Sequence, residues 1–370
     1  MVVDDSAVIR GLITKMIESD PNMNVVVTAP NGQVALSNLD RYDVEIVILD
    51  IEMPIMDGLT ALPLMLKKVP DLKVIMASTL TLKNAEISMQ AMELGATDYV
   101  PKPTSSREVS GSDTFKAELL AKVKHIGEAK RKARGIFRPQ AKETVGSAAR
   151  PEIKRAPITP LKPSEPIKIS LRQASNFRPE VITIASSTGG PQALFKVFGE
   201  LKNEDIKQPI LITQHMPATF TKILAEHISS VSGKTAIEGA NDMIVEGGKI
   251  YVAPGGFHMT IKQRGVNRVI ELKDTPPENF CKPSADPMLR SVVDIFGNKT
   301  FTVVLTGMGN DGSKGSEHVV NAGGTVIAQD EASSVVWGMP GAVAKAGLCS
   351  AIMPLTEIPN YIIKHAIRRV

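Results

Sequence analysis

The sequence predicts an α/β protein of two parallel-sheet units joined by a linker. Three observations carry that expectation. Short β-branched runs alternate with longer amphipathic stretches, acidic and hydroxyl residues fall where the runs end, and a proline-rich basic segment divides the chain. A length of 370 residues suffices for two domains, and 43% apolar with 22% charged residues is a globular balance. The net charge of +4 sits largely in the dividing segment, and no basic face interleaved with aromatics accompanies it, so no nucleic-acid partner is expected. Two cysteines, Cys281 and Cys349, cannot build a disulfide framework. No signal-like segment opens the chain, and no apolar run approaches the roughly 18 residues of a membrane span. A reduced, cytoplasmic protein is expected.

In chain order, residues 1–134 read as βα units. Runs such as "VEIVIL", "KVIMA" and "DYV" are strands, and "SAVIRGLITKMIE", "GLTALPLMLKK" and "NAEISMQAMELG" are helices. Residues 135–178 carry recurrent prolines and excess Lys and Arg with little periodicity, and read as a solvated linker. In residues 179–370 the strands are "EVITIA", "QPILIT", "KIYVA", "FTVVLT" and "GTVIAQ", with helices such as "PQALFKVFGEL" and "TFTKILAEHISS" between them.

"VVDDS" places Asp4 and Asp5 at one strand end, and "VILDIEMP" places Asp50 at another. Sites in open parallel sheets gather at the carboxyl ends of strands, so the three acids are expected to converge. Crowded carboxylates need a cation, and hard oxygen ligands suit Mg²⁺. Ser78 and Lys102 close two further strands and suit phosphoryl oxygens. Taken singly, an Asp after a strand is more often a helix cap and a Lys a solvated loop residue. As an ordered set, D-D, D-x-x-M-P-x-M-D-G, S/T and K-P resemble the receiver domain of response regulators. That resemblance implies phosphorylation of Asp50 by a histidine kinase, Mg²⁺ on Asp4, Asp5 and Asp50, and phosphoryl contacts from Ser78 and Lys102. Phosphorylation adds about −1.5 to −2 charge, enough to move Ser78 and a switch aromatic, for which Tyr99 is the candidate. The first strand is shorter than the family's, with three residues before the acidic pair.

"EVITIASSTGGPQALFKVF" reads strand, glycine turn, helix, with Pro191 in the first helical turn. Ser187 lies in A-x-S-x-G, close to the elbow that exposes a nucleophilic oxygen at a helix N-terminus, whereas Ser186 lacks that frame. An isolated serine there is otherwise a helix cap. A nucleophilic serine needs a base, and "ILITQHMP" supplies His215 at a strand end, with His258 its main rival. The base needs a carboxylate, and Asp311 in "LTGMGNDG" follows a buried strand. The same stretch reads G-x-G-x-x-G with Asp330 downstream, so a dinucleotide cradle is the alternative. Its late position, and the serine turn it would leave unexplained, count against that reading.

Together, "ASSTGGPQA", "ITQHMP", "YVAPGGFHM", "PSADPML" and "LTGMGNDG", downstream of a receiver, resemble the chemotaxis protein-glutamate methylesterases of the CheB family. The resemblance implies a flavodoxin-like (βα)5 receiver domain and a doubly wound, mostly parallel, Rossmann-like hydrolase domain. It implies a Ser187–His215–Asp311 triad acting without a cofactor on glutamate γ-methyl esters of chemoreceptors, glutamine deamidation, and a receiver that covers the site. The oxyanion hole is expected from backbone N–H groups near Thr188 and Met308. Here the family's G-A-S-T-G-G reads A-S-S-T-G-G. A monomer is expected. The rivals from other classes are a DNA-binding output and a regulated NAD-dependent oxidoreductase.

Overall fold

The computed structural model describes residues 1–79, 81–102, 113–135 and 169–367. Most of the expected linker, 136–168, lies outside the described residues.

The first unit runs β1 (Val2–Val3), α1 (Ala7–Ile17), β2 (Thr28–Ala29), α2 (Gly32–Asn38), β3 (Ile46–Asp50), α3 (Gly58–Lys68), β4 (Lys73–Thr79), α4 (Leu82–Glu93), β5 (Asp98–Lys102) and α5 (Asp113–Ala133). Its five strands are parallel in the order β2-β1-β3-β4-β5. The strand order reverses between β1 and β3, which brings the ends of those strands together around a crevice. β1 has only two residues, but both are fully buried and paired on both sides, and the Met1 carbonyl accepts Ile48 N–H as well. The cap of α1 is Ser6, whose hydroxyl accepts Ile9 N–H, which leaves the two preceding aspartates free for other work.

The second unit runs β6 (Val181–Ser186), α6 (Gly190–Glu200), β7 (Ile210–Gln214), α7 (Ala218–Ser232), β8 (Ala236–Glu238), β9 (Ile250–Val252), β10 (His258–Arg264), β11 (Asn267–Lys273), α8 (Ala285–Phe296), β12 (Thr300–Val304), α9 (Ser313–Asn321), β13 (Thr325–Gln329), α10 (Met339–Lys345), β14 (Ala351–Met353) and α11 (Ile358–Ile362). Seven of these strands form a parallel sheet ordered β14-β13-β12-β6-β7-β9-β8, and β10 and β11 form a separate antiparallel hairpin. All five expected strand runs are strands, and their near-continuous apolar character follows from helices covering both faces. β6 lies between β12 and β7, so the chain leaves it in opposite directions and a crevice opens at its carboxyl end.

The units touch. Tyr99 of β5 stacks on Phe220 of α7 with centroids 4.3 Å apart and planes 17° from parallel. Gln192 on α6 donates to the carbonyls of Met92 (3.2 Å) and Ala96, and His227 on α7 meets Glu93 at 2.9 Å. Val336, after β13, is buried in one apolar cluster with Ile13, Val100 and Phe115, and Met308 and Val335 pack against that cluster. Residues past the linker are tied to the second unit. Arg172 donates from its backbone to Cys349 O and from its side chain to Gly347 O, and Ser175 bonds Thr325 and Asn298.

Candidate functional sites

At the first crevice, Asp4 follows β1 and Asp50 ends β3. Carboxylate oxygens of Asp4, Asp5 and Asp50 all lie within 4.8 Å of one another, with Asp4 and Asp50 buried and Asp5 exposed. Lys102 Nζ bridges Asp4 Oδ2 at 2.9 Å and Asp50 Oδ1 at 2.6 Å. Burial drives the Asp50 carboxyl up to a pKa of about 6, against the pull of Lys102. The expected acids and the lysine therefore meet. Ser78 does not join them here. Its buried hydroxyl is 3.0 Å from Ser88 Oγ on α4, which in turn donates to Asn84 O. Tyr99 is also turned inward, its ring between Phe220 and the Lys122 ammonium, which sits 4.8 Å from the ring centroid.

At the second crevice, β6 and β7 run in register with Ser186 opposite Gln214, so Ser187 and His215 leave neighbouring strand ends side by side. His215 N–H donates to Ser186 O (3.2 Å), and the buried Gln214 side chain ties the turn by donating to Ser187 O (3.0 Å) and accepting from Ser186 Oγ (2.6 Å). Ser186, the departure from the family pattern, is thus consumed in a buried bond, and Ser187 is partly exposed. Ser187 is not the cap of α6 either. That position belongs to Gly189 at φ 75°.

His215 Nε2 lies 2.7 Å from Asp311 Oδ2. The carboxylate is buried and heavily bonded, with Ser284 Oγ at 2.6 Å, Asn279 Nδ2 at 2.9 Å, and the N–H groups of Ala285 (2.6 Å) and Asp286 (3.3 Å) at the start of α8. Desolvation raises the Asp311 pKa, but the imidazole and these donors outweigh it and hold the group down at about 2. Desolvation likewise lowers the His215 pKa, and bonds to Asp311 and Cys281 outweigh it, lifting the group to about 10. The other ring nitrogen, Nδ1, faces Cys281 Sγ at 3.2 Å. Among the described residues, no side-chain hydrogen bond reaches Ser187 Oγ, and the N–H groups of Thr188 and Met308 donate to nothing.

His258, the rival base, is buried with both ring nitrogens engaged, Nε2 to Pro276 O at 3.0 Å and Nδ1 accepting Ser284 N–H at 3.1 Å. It supports Ser284 behind Asp311. Gly307 packs against the serine turn, because a Cβ there would meet Ser187 Cβ at 2.9 Å. Asp330 is spent on its own turn, accepting from Ser333 N–H and Oγ. Sequence reasoning missed Asn279, Cys281, Ser284 and Asp286. The signal for Ser284 and Asp286 was the quoted "PSADPML", whose S-x-D spacing before the α8 apolar run is a cap pattern that here faces a neighbouring loop.

Family models described as response regulator receiver domain and CheB methylesterase match residues 1–111 and 182–362. The protein-glutamate methylesterase/protein-glutamine glutaminase 1 of Paramagnetospirillum magneticum is 53% identical over 100% of this chain and 96% of its own. That of Rhodospirillum rubrum is 52% identical over 100% and 95%. The CheB methylesterase catalytic domain of Thermotoga maritima, a solved structure, is 38% identical over 50% of this chain and 98% of its own, with a TM-score of 0.48. No described helix is long and apolar enough to cross a membrane. With a receiver domain and a CheB methylesterase domain in one chain, and full-length relatives at half identity or better, the chain belongs to the receiver-linked protein-glutamate methylesterase/protein-glutamine glutaminase family.

Proposed function

We propose that Ser187, His215 and Asp311 form the catalytic triad of an esterase that hydrolyses glutamate γ-methyl esters on chemoreceptors and deamidates glutamines there. The observation that carries this reading is the 2.7 Å His215–Asp311 pair beside Ser187 at adjacent strand ends. Nε2 is committed to Asp311, so Nδ1 takes the proton as Ser187 Oγ attacks the ester carbonyl. The tetrahedral oxyanion is met by the free N–H groups of Thr188 and Met308. The proton passes from Nδ1 to the departing methoxy oxygen, methanol leaves, and water hydrolyses the acyl-enzyme with His215 again as base. Asp311 stays ionised throughout and fixes the ring.

Asp50 is the phosphoacceptor for a histidine kinase. Asp4, Asp5 and Asp50 would hold Mg²⁺, a hard cation suited to their oxygens, which when bound offsets phosphoryl charge. Lys102 keeps a fixed positive charge beside the acceptor. The receiver covers the hydrolase through the Tyr99–Phe220 stack and the Val336 cluster.

The test is methanol release from methylated receptor. Ser187→Ala should lower turnover by about 10⁴-fold or more, whereas Ser186→Ala should stay active. The reverse result would put the nucleophile at Ser186. Acetyl phosphate should stimulate the wild type and not Asp50→Ala, and stimulation that survives Asp50→Ala would remove the switch.

A further inference from the structure

The thiol on His215 belongs to a turn in an unfavourable backbone conformation. Glu278 and Cys281 exchange both backbone hydrogen bonds, at 3.2 and 2.9 Å, around Asn279 and Phe280, whose φ values are 53° and 64°. Such a two-residue turn favours Asn followed by Gly, and left-handed backbone is unfavourable for Phe. Burial of Phe280 does not hold the turn, because its side chain is wholly exposed. Polar contacts do. Asn279 Nδ2 donates to Asp286 Oδ2 (2.8 Å) and Asp311 Oδ1 (2.9 Å), and Cys281 Sγ lies 3.2 Å from His215 Nδ1. One turn thus grips both the imidazole and its carboxylate.

Under the triad reading, on which this inference rests, Nδ1 is the only ring nitrogen left for the Ser187 proton. In the receiver-docked structure the thiol occupies it. We propose that Cys281 is a positioning residue that holds His215 through Nδ1 in the docked state, and that the thiol must leave this nitrogen before Ser187 can use it. The groups in contact with the imidazole are Asp311 from the loop after β12 and Cys281 from the turn, and Ser187 follows the neighbouring strand β6. Asp286 and Arg290 of α8 act on Asp311 from behind. The Cys281 contact favours the protonated ring, and only the neutral ring can act as a base. Removing the thiol therefore enlarges the competent fraction near neutral pH.

The experiment measures kcat/KM for methanol release against pH with full-length, unphosphorylated wild type, Cys281→Ala and Cys281→Ser. The alanine variant should move the acidic limb down by roughly 0.5 pH unit or more, about a threefold gain on that limb. The serine variant, which keeps a hydrogen-bonding oxygen but no thiol, should fall between. Superimposed profiles, or a shift to higher pH, overturn the proposal. His215→Gln separates the two readings. If it turns over like wild type the triad reading fails, and if it is inactive while the Cys281 variants match wild type only the Cys281 role fails. Should Cys281→Ala lose cooperative unfolding, alkylation decides. Cys281 is partly exposed and Cys349 buried, so iodoacetamide labelling followed by mass spectrometry reads Cys281. His215→Gln takes away the ring that Sγ contacts at 3.2 Å, so it should change the labelling rate by about threefold or more. Equal rates overturn the proposal.

Discussion

Asp50 shows how one buried carboxylate trades stability for chemistry. Its folded pKa of about 6 lies above the ordinary 3.8, so the folded receiver binds its proton more tightly than the unfolded chain does. The resulting stabilisation is complete below about pH 4 and is lost as pH rises through 6. Asp50→Asn should therefore raise receiver stability at pH 7.5, by up to about 3 kcal/mol at 1.4 kcal/mol per unit, and the gain should vanish near pH 4. Denaturant midpoints at the two pH values check this, and a gain independent of pH would refute it. Ser284 makes the matching case at the hydrolase. Its hydroxyl bonds Asp311 at 2.6 Å, so Ser284→Ala should lower kcat roughly tenfold with KM little changed, since a hydrogen bond to a charged group is worth about 1.5–3 kcal/mol. A change confined to KM would show that Ser284 acts on substrate binding instead. The acids and Lys102 were legible in the sequence because each closes a strand of recognisable character. Cys281 and Asn279 were not, because their importance lies in a turn whose conformation defies its residue preferences.

Among the elements, the central strands of both sheets could be read from apolar runs, since both sheets are parallel and covered on both faces, whereas the short edge strands β2, β8 and β14 were not named. The β10–β11 hairpin escaped, although "HMTIKQR" and "NRVIELK" alternate well enough, because only its short Gly265–Val266 connection marks it as a pair. The order of the strands was also beyond the sequence, and it is the order that sets β6 between β7 and β12. The turn into α6 is tightly constrained. A Cβ on Gly190 would overlap Gln214 Oε1 and crowd Ser186 Cβ at 2.9 Å. Gly190→Ala should cost the hydrolase domain about 1–3 kcal/mol through overpacking and reduce turnover, read by urea unfolding and methanol release. Wild-type values in both would mean that Gln214 can move aside freely.

For the whole molecule, the interface joins the two units through few strong contacts. A stacked aromatic pair contributes about 0.5–1.5 kcal/mol beyond its burial. Phe220→Leu, which keeps an apolar side chain but removes the ring under Tyr99, should therefore raise unphosphorylated turnover about two- to tenfold and leave the acetyl-phosphate-stimulated rate near wild type. No change in the unphosphorylated rate would mean that the stack does not restrain the hydrolase. The receiver pattern singled out Tyr99, but its partner was not legible, since nothing in "ATFTKILAEHISS" distinguishes Phe220 from an ordinary core residue. The chain has one tryptophan, Trp337. It follows directly on Val335 and Val336 at the receiver contact, is half-buried, donates to Gln329 O at 2.9 Å and lies under the Lys345 ammonium. The protein thus carries a built-in optical probe at the seam between its halves. Its emission spectrum should change when the halves separate, so the kinetics of opening can be followed in unlabelled protein.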